Sequence, residues 1–175
     1  FQKAFPERDT LPGIEKGNIF SVEAVMAREA RPGKRVVVLD EGCNWRGGGT
    51  AWKLAEEGHE VTVVTPQAMV GFELQRTAAD LPLRKRLAQL GVRVLAESAI
   101  LEWTGDGARV VSFLDGSEQL IEANALVLAT TNMANDGEAR ALDDKGIGHR
   151  LIGDAAAARL APYAIYEGRK AGLEI

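Results

Sequence analysis

The stretch RVVVLDEGCNWRGGGTAWKLAEEGHEVTVVT, residues 35–65, decides the fold. Arg35-Val36-Val37-Val38-Leu39-Asp40 is a β-branched run without polar alternation, as a strand buried on both faces of a parallel sheet reads. Thr50 to Glu57 then sets Ala51, Leu54 and Ala55 on one helical face, and Gly58 stands where a C-terminal cap belongs. Glu60 to Thr65 is a second strand. Strand, helix and strand thus follow within about 30 residues, the length of a right-handed βαβ unit.

Toward the C-terminus the pattern continues. Asp80 is placed to cap a helix with Pro82 in its first turn, and Leu81, Leu83, Leu87 and Leu90 give it an apolar side before Gly91. Val92 to Leu95 reads as a third parallel strand. Ile100–Thr104, Ala108–Leu114 and Gln119–Glu122 are then short strands separated by Gly105-Asp106-Gly107 and Asp115-Gly116-Ser117, which predicts an antiparallel three-stranded meander. Ala125 to Thr130 returns to the buried-strand style. After the polar stretch Thr131 to Gly146, His149 to Ile152 predicts another strand and Ala155 to Ala171 a final helix.

Toward the N-terminus, Ser21 can cap a short helix over Val22 to Arg28, which Arg31-Pro32-Gly33-Lys34 ends. PERDTLPGIEKGN, ahead of it, has the charge, Pro and Gly content of a linker. The fold class expected is α/β: a Rossmann-like parallel sheet of βαβ units with the meander inserted. The organisation expected is a crossing segment and short helix over 1–34, a nucleotide-type domain over 35–148, and a return strand and helix over 149–175.

Composition narrows the function. The chain has 175 residues, 46% of them hydrophobic, enough to bury one real core. A net charge of −4 with both signs interspersed gives no footprint for nucleic acid or an anionic membrane. No apolar run reaches the roughly 20 residues that span a bilayer, and FQKAFPERDT lacks a secretory pattern, so a cytoplasmic location is expected. Cys43, the single cysteine, cannot supply the thiolate set of a zinc or iron-sulfur site, which places any cluster outside this chain.

A dinucleotide loop needs glycines so that backbone N–H groups can approach a pyrophosphate at a helix N-terminus. The three G-x-G-x-x-G slots after Leu39 hold Asp40, Gly42 and Trp45, so only Gly42 is kept, and the helix is expected to begin later, near Gly47-Gly48-Gly49. Asp40 and Glu41 would set two carboxylates beside a diphosphate, at a cost on the order of kilocalories in a partly desolvated loop. Thr65 stands at the end of the second strand, where an acid would hold a ribose diol or a base a 2′-phosphate. Ordinary NAD(P)H binding is therefore disfavoured. Gly47, Gly48 and Gly49 read either as a phosphate cradle of shifted register or as a flexible or close-packed turn. Cys43 has no resolving partner and reads as an inert thiol; His59 and His149 read as packing residues, and the tryptophans as core or interdomain contacts, with Trp45 in the loop the most interesting.

The βαβαβ half, the meander, the last strand ALVLAT and the closing HRLIGDAAAARLAPYAIYEGRKAGLEI together resemble the NAD(P)H-type domain of the two-dinucleotide-domain flavoproteins. With VVVLDEG and EEGHEVTVVT the chain most resembles the trimethylamine dehydrogenase and 2,4-dienoyl-CoA reductase family of NADH:flavin oxidoreductases. That resemblance covers nearly the whole chain. It implies a parent in which an Old Yellow Enzyme-like barrel with FMN and an iron-sulfur cluster is joined to two nucleotide-type domains, holding FAD or ADP. This chain would be the second of those domains plus the return helix, with the barrel and the first domain upstream of Phe1. In Ile152-Gly153-Asp154 the resemblance assigns Gly153 and Asp154 to the flavin, the carboxylate bonding the ribityl chain; read from the residues alone, Asp154 is a plain N-cap. Ala129-Thr130-Thr131 departs from the family's Ala-Thr-Gly at the domain crossing.

Three functional expectations follow. The first is a degenerate nucleotide domain that scaffolds an FMN and iron-sulfur oxidoreductase and has no catalysis of its own. Second is a working NAD(P)H domain that passes hydride to FAD on its neighbour. The third is an assembly domain without ligand. The partners expected are the barrel and flavin/ADP domain of the same polypeptide and, in the assembly reading, a second subunit.

Overall fold

Alternation along one strand sets the architecture. In the computed structural model, which describes residues 11–134, 136–159 and 161–174, Arg35–Asp40 forms a strand whose Val36 and Val38 enter one core and whose Val37 and Leu39 enter another. The first part of the chain, up to Thr130, is built around it. In chain order its elements are β1 (Ile19–Ser21), α1 (Val22–Met26), β2 (Arg35–Asp40), α2 (Trp45–Glu56), β3 (Glu60–Val64), α3 (Asp80–Gln89), β4 (Arg93–Leu95), β5 (Ser98–Trp103), β6 (Gly107–Ser112), β7 (Glu118–Glu122) and β8 (Ala125–Ala129).

The main sheet is parallel, in the order β1-β8-β2-β3-β4, and β5-β6-β7 form a separate antiparallel sheet. On one face of the main sheet Val36, Val38, Val63 and Val127 pack with Ala51, Leu54, Leu83 and Leu87 of α2 and α3. On the other face Val37, Leu39, Val64 and Leu126 pack with Ile100, Trp103, Val110 and Ile121 of the meander. Each large apolar side chain fully buried in this way stabilises the fold by about 1.5–3 kcal/mol. The βαβ units and the meander predicted from the sequence are all present.

Several boundaries differ from expectation. β1 is a short parallel strand beside β8 that the sequence reading missed, because Ile19-Phe20-Ser21 runs straight into the Ser21 cap of α1. Asp80 is the first residue of α3 rather than its cap, and Ala79 before it makes no side-chain cap bond. The segment read as a linker is sewn to the meander from Pro12 onward: the Trp103 N–H donates to the Pro12 carbonyl at 2.9 Å and Trp103 Nε1 to the Gly17 carbonyl at 2.8 Å. Gly13, at φ 84°, passes so near that a Cβ would lie 1.8 Å from the Trp103 carbonyl oxygen. The Pro6–Thr10 part of that segment lies outside the described residues.

The chain from Thr131 onward forms a second compact unit. It holds α4 (Gly137–Asp143) and α5 (Ala161–Leu173). His149–Ile152 is not a strand, since no strand among the described residues of this unit offers it a ladder partner. The last helix begins at Ala161 and not at Ala155: Pro162, lacking an N–H, is accommodated in a first turn and not in a helix interior.

Candidate functional site

Ligands of open parallel sheets bind beyond the carboxyl ends of the strands, where the strand order reverses. Here that point lies between β2 and β8, at Asp40 and Ala129. The backbone closes it directly, for the Glu41 N–H donates to the Ala129 carbonyl at 3.3 Å. Asp40 follows Val36 and Val38 in alternation and so points toward α2. It is 0% exposed; Oδ1 accepts the Cys43 N–H at 2.9 Å, and Oδ2 has no hydrogen-bond partner among the described residues. Burial, only partly offset by the Cys43 amide, pushes its carboxyl up to about 6.

The loop from Glu41 to Asn44 turns back on the sheet. Cys43 adopts a left-handed backbone, φ 48°, which brings its Sγ to 3.0 Å from the Thr65 hydroxyl at the end of β3. Its carbonyl accepts the Glu73 N–H at 3.0 Å, which ties the loop to the 3-10 turn Phe72–Thr77. The thiol is buried, and that burial pushes it up to about 11, in keeping with the inert role read for it. Thr65, expected at the ribose position, is itself fully buried and turned to Cys43.

Asn44 caps α2: its Oδ1 accepts the Arg46 N–H at 2.8 Å, and the helix begins at Trp45. The start expected near Gly47-Gly48-Gly49 is thus corrected, because an Asn in extended backbone satisfies the first-turn donors ahead of the glycines. All three glycines lie inside the helix. A Cβ on Gly47 would fall 2.1 Å from Asp40 Oδ1, and one on Gly48 would fall 2.5 Å from Leu83 Cδ2. Gly49 is loose, its nearest neighbour 3.8 Å away. Gly47 and Gly48 thus let α2 pack close against β2 and α3. Gly42 stays in the loop, where a Cβ would meet the Asn44 amide nitrogen at 3.0 Å.

A residue the sequence reading passed over completes the edge. Arg46, the one cation between Asp40 and Gly47, donates to the Thr130 carbonyl at 3.0 Å and to Glu23 Oε1 at 2.6 Å. Its guanidinium thereby clamps the ends of α1 and β8 to the start of α2. Trp45, beside it, is 49% exposed. At this edge a buried carboxyl and the αL Cys43 follow β2, and an internal thiol–hydroxyl pair stands at the end of β3.

In the second unit Gly153, at φ 60°, donates its N–H to Glu167 Oε2 at 2.8 Å, and Asp154 Oδ1 accepts the Arg159 N–H at 3.3 Å. Both lie in the 3-10 turn Gly153–Ala155. Of the two histidines, His59 faces the Gly33 carbonyl and His149 lies 3.7 Å from Asp143. No helix among the described residues is long and apolar enough to cross a membrane, and none of their His, Cys, Asp and Glu side chains group in a way that could hold a metal ion.

Comparison with known proteins agrees with this geometry. The sequence model of a family described as OYE-like second alpha/beta domain matches residues 20–122. An NADH oxidase of Thermoanaerobacter brockii is 29% identical over 153 residues, which are 86% of this chain and 23% of that protein. Histamine dehydrogenase of Rhizobium sp. 4-9 superposes with a TM-score of 0.83 at 25% identity, over 94% of this chain and 27% of its own. A 2-naphthoyl-CoA reductase in complex with 2-naphthoyl-CoA gives a TM-score of 0.78 at 28% identity, over 97% of this chain and 25% of its own. The chain thus spans about a quarter of the length of the relatives it matches.

Proposed function

Since this chain belongs to the OYE-like second alpha/beta domain family, we propose that it serves a flavin-dependent oxidoreductase as a nucleotide-type scaffold whose own dinucleotide site is closed by protein. One observation supports the reading: Asp40 is fully buried with Gly47 against it, in the first fingerprint slot, where a dinucleotide loop would carry a bare glycine. On this reading the redox chemistry is supplied by FMN and an iron-sulfur cluster elsewhere in the polypeptide, with FAD or ADP on a neighbouring nucleotide domain. The chain's own residues form structure: Arg46 fixes where the backbone leaves the sheet, and the Asp40–Cys43–Thr65 cluster seals its edge. The dehydrogenase and reductase relatives support the oxidoreductase assignment. The length ratio supports a role inside a larger protein.

The NADH oxidase relative favours a second reading, in which this domain receives NAD(P)H and passes hydride to a neighbouring flavin. Calorimetric titration of the chain with NADH and NADPH separates the two. The scaffold reading expects no heat of binding at the carboxyl edge and no reductase activity with artificial acceptors. NAD(P)H affinity below about 1 mM, with phosphates resting on the amides of residues 42–48, would overturn it.

A further inference from the structure

At the opposite, amino-terminal edge of the sheet, the end of α1, the run leading into β2 and the last turn of α2 border an open cavity of about 560 Å³. That lies inside the ~300–1,000 Å³ range of small-molecule sites. Val25, Ala30, Pro32 and Leu54 give it apolar walls; Arg28, Arg31, Lys53 and His59 line it against one carboxylate, Glu57. Lys53 Nζ holds that carboxylate at 2.7 Å, so the pair is internally neutral.

The two arginines are what set this cavity apart. Among the described residues up to Thr130, Arg35, Arg46, Arg76, Arg84, Arg86 and Arg109 each pair with a carboxylate. Arg93 reaches the Gln119 side chain. Arg28 and Arg31 form no such ion pair, although Arg28 lies near enough to Glu57 to help hold that carboxyl below its ordinary value, and both arginines line the same cavity. In a chain of net charge −4, two guanidiniums beside the neutral Lys53–Glu57 pair make a locally positive pocket. Guanidinium forks match phosphate oxygens bidentately. The Arg31-Pro32-Gly33 wall is also fixed: the Gly33 carbonyl accepts from His59 Nδ1, and a Cβ on Gly33 would press on Asn124 at 2.8 Å.

We propose that this cavity binds a small phosphorylated molecule of nucleoside mono- or diphosphate size, its phosphates on Arg28 and Arg31 and its base against Val25, Pro32 and Leu54. The site is separate from the sealed edge of the sheet and does not depend on what that edge does.

NMR titration of the 175-residue chain with ADP, and separately with inorganic pyrophosphate, tests it. Saturable amide shifts are expected at residues 28–33 and 53–59, with dissociation constants below about 1 mM in low salt. The double variant Arg28→Asn/Arg31→Gln should bind at least about tenfold more weakly while melting like the wild type, because Asn tolerates the left-handed backbone of Arg28. Should that variant melt lower, Arg31→Gln alone carries the same expectation at an exposed position. Unchanged binding by the variants, or no saturable shift in the wild type, overturns the proposal and leaves the scaffold reading standing. Shifts confined to residues 41–48 overturn both.

Discussion

Gly47 sits against the Asp40 carboxylate so closely that a Cβ added to it would lie 2.1 Å from Oδ1. Helix α2 and strand β2 can approach in this way only because position 47 is bare. Gly47→Ala should therefore lower stability by about 1–3 kcal/mol, since neither Asp40 nor the backbone has room to yield. Gly49→Ala, two residues along in the same helix, should raise it by about 0.5–1 kcal/mol, because its new Cβ meets only ordinary contact at 3.8 Å. Urea denaturation of the two variants checks the opposite signs; equal effects would rule out the packing role of Gly47.

The buried Asp40 also predicts a pH dependence. Its carboxyl sits at about 6 in the folded chain against an ordinary value of 3.8. Between these values the folded state keeps a proton that the unfolded state has lost. Its contribution is thus fully present below pH 4 and is lost as pH rises through 6, a change on the order of 3 kcal/mol. Asp40→Asn removes that window. The difference in unfolding free energy between variant and wild type should grow in the variant's favour from pH 4 to pH 7, and a flat difference would contradict the burial of an ionisable group there.

Cys43 should resist alkylation. With its thiol pushed up to about 11 by burial, iodoacetamide at pH 8 should label the native chain at least about tenfold more slowly than the chain in denaturant. Thr65→Val, which removes the hydroxyl 3.0 Å from Sγ, should leave the native thiol equally protected. Rapid native labelling would mean that the loop opens readily.

Arg46→Gln should cost about 1–2 kcal/mol by removing the charged donor to the Thr130 carbonyl. Glu23→Gln, which removes only the exposed partner of the same guanidinium, should cost under about 0.5 kcal/mol. Chemical denaturation gives the free energies, and the amide resonance of Thr131, whose nitrogen belongs to the Thr130 peptide, should move in the first variant and stay in the second.

What the sequence made legible was whatever is written in periodicity. β2, β3 and the three strands of the meander follow from β-branched runs and glycine turns, and the faces of α2 and α3 from their alanines and leucines. Less was legible where one side chain overrides the pattern. Asn44 moved the start of α2 ahead of the glycines by capping it, and only its residue type hinted at this. The likeness of Asp40 to a failed fingerprint position was plain, but that its charge would be buried against Gly47 depends on the distance between a helix and a strand, which no spacing encodes. Arg46 escaped notice because its partners, a backbone carbonyl and Glu23, are remote in sequence and invisible to motif reading. The strand expected over His149–Ile152 shows the converse: local propensity suggests a strand, but only a neighbour with free hydrogen-bonding groups makes one.

The contact between Cys43 and Thr65 couples the residues of this edge to one another. Glycine introduced at position 40 alone would leave a void and an unanswered Cys43 amide. Acid introduced at position 65 alone would thrust a charge onto a buried sulfur, and alanine at 43 alone would leave the threonine hydroxyl only the Gln67 N–H at 3.3 Å. Each single change of this kind is expected to lower stability, so the three side chains can be exchanged without loss only together.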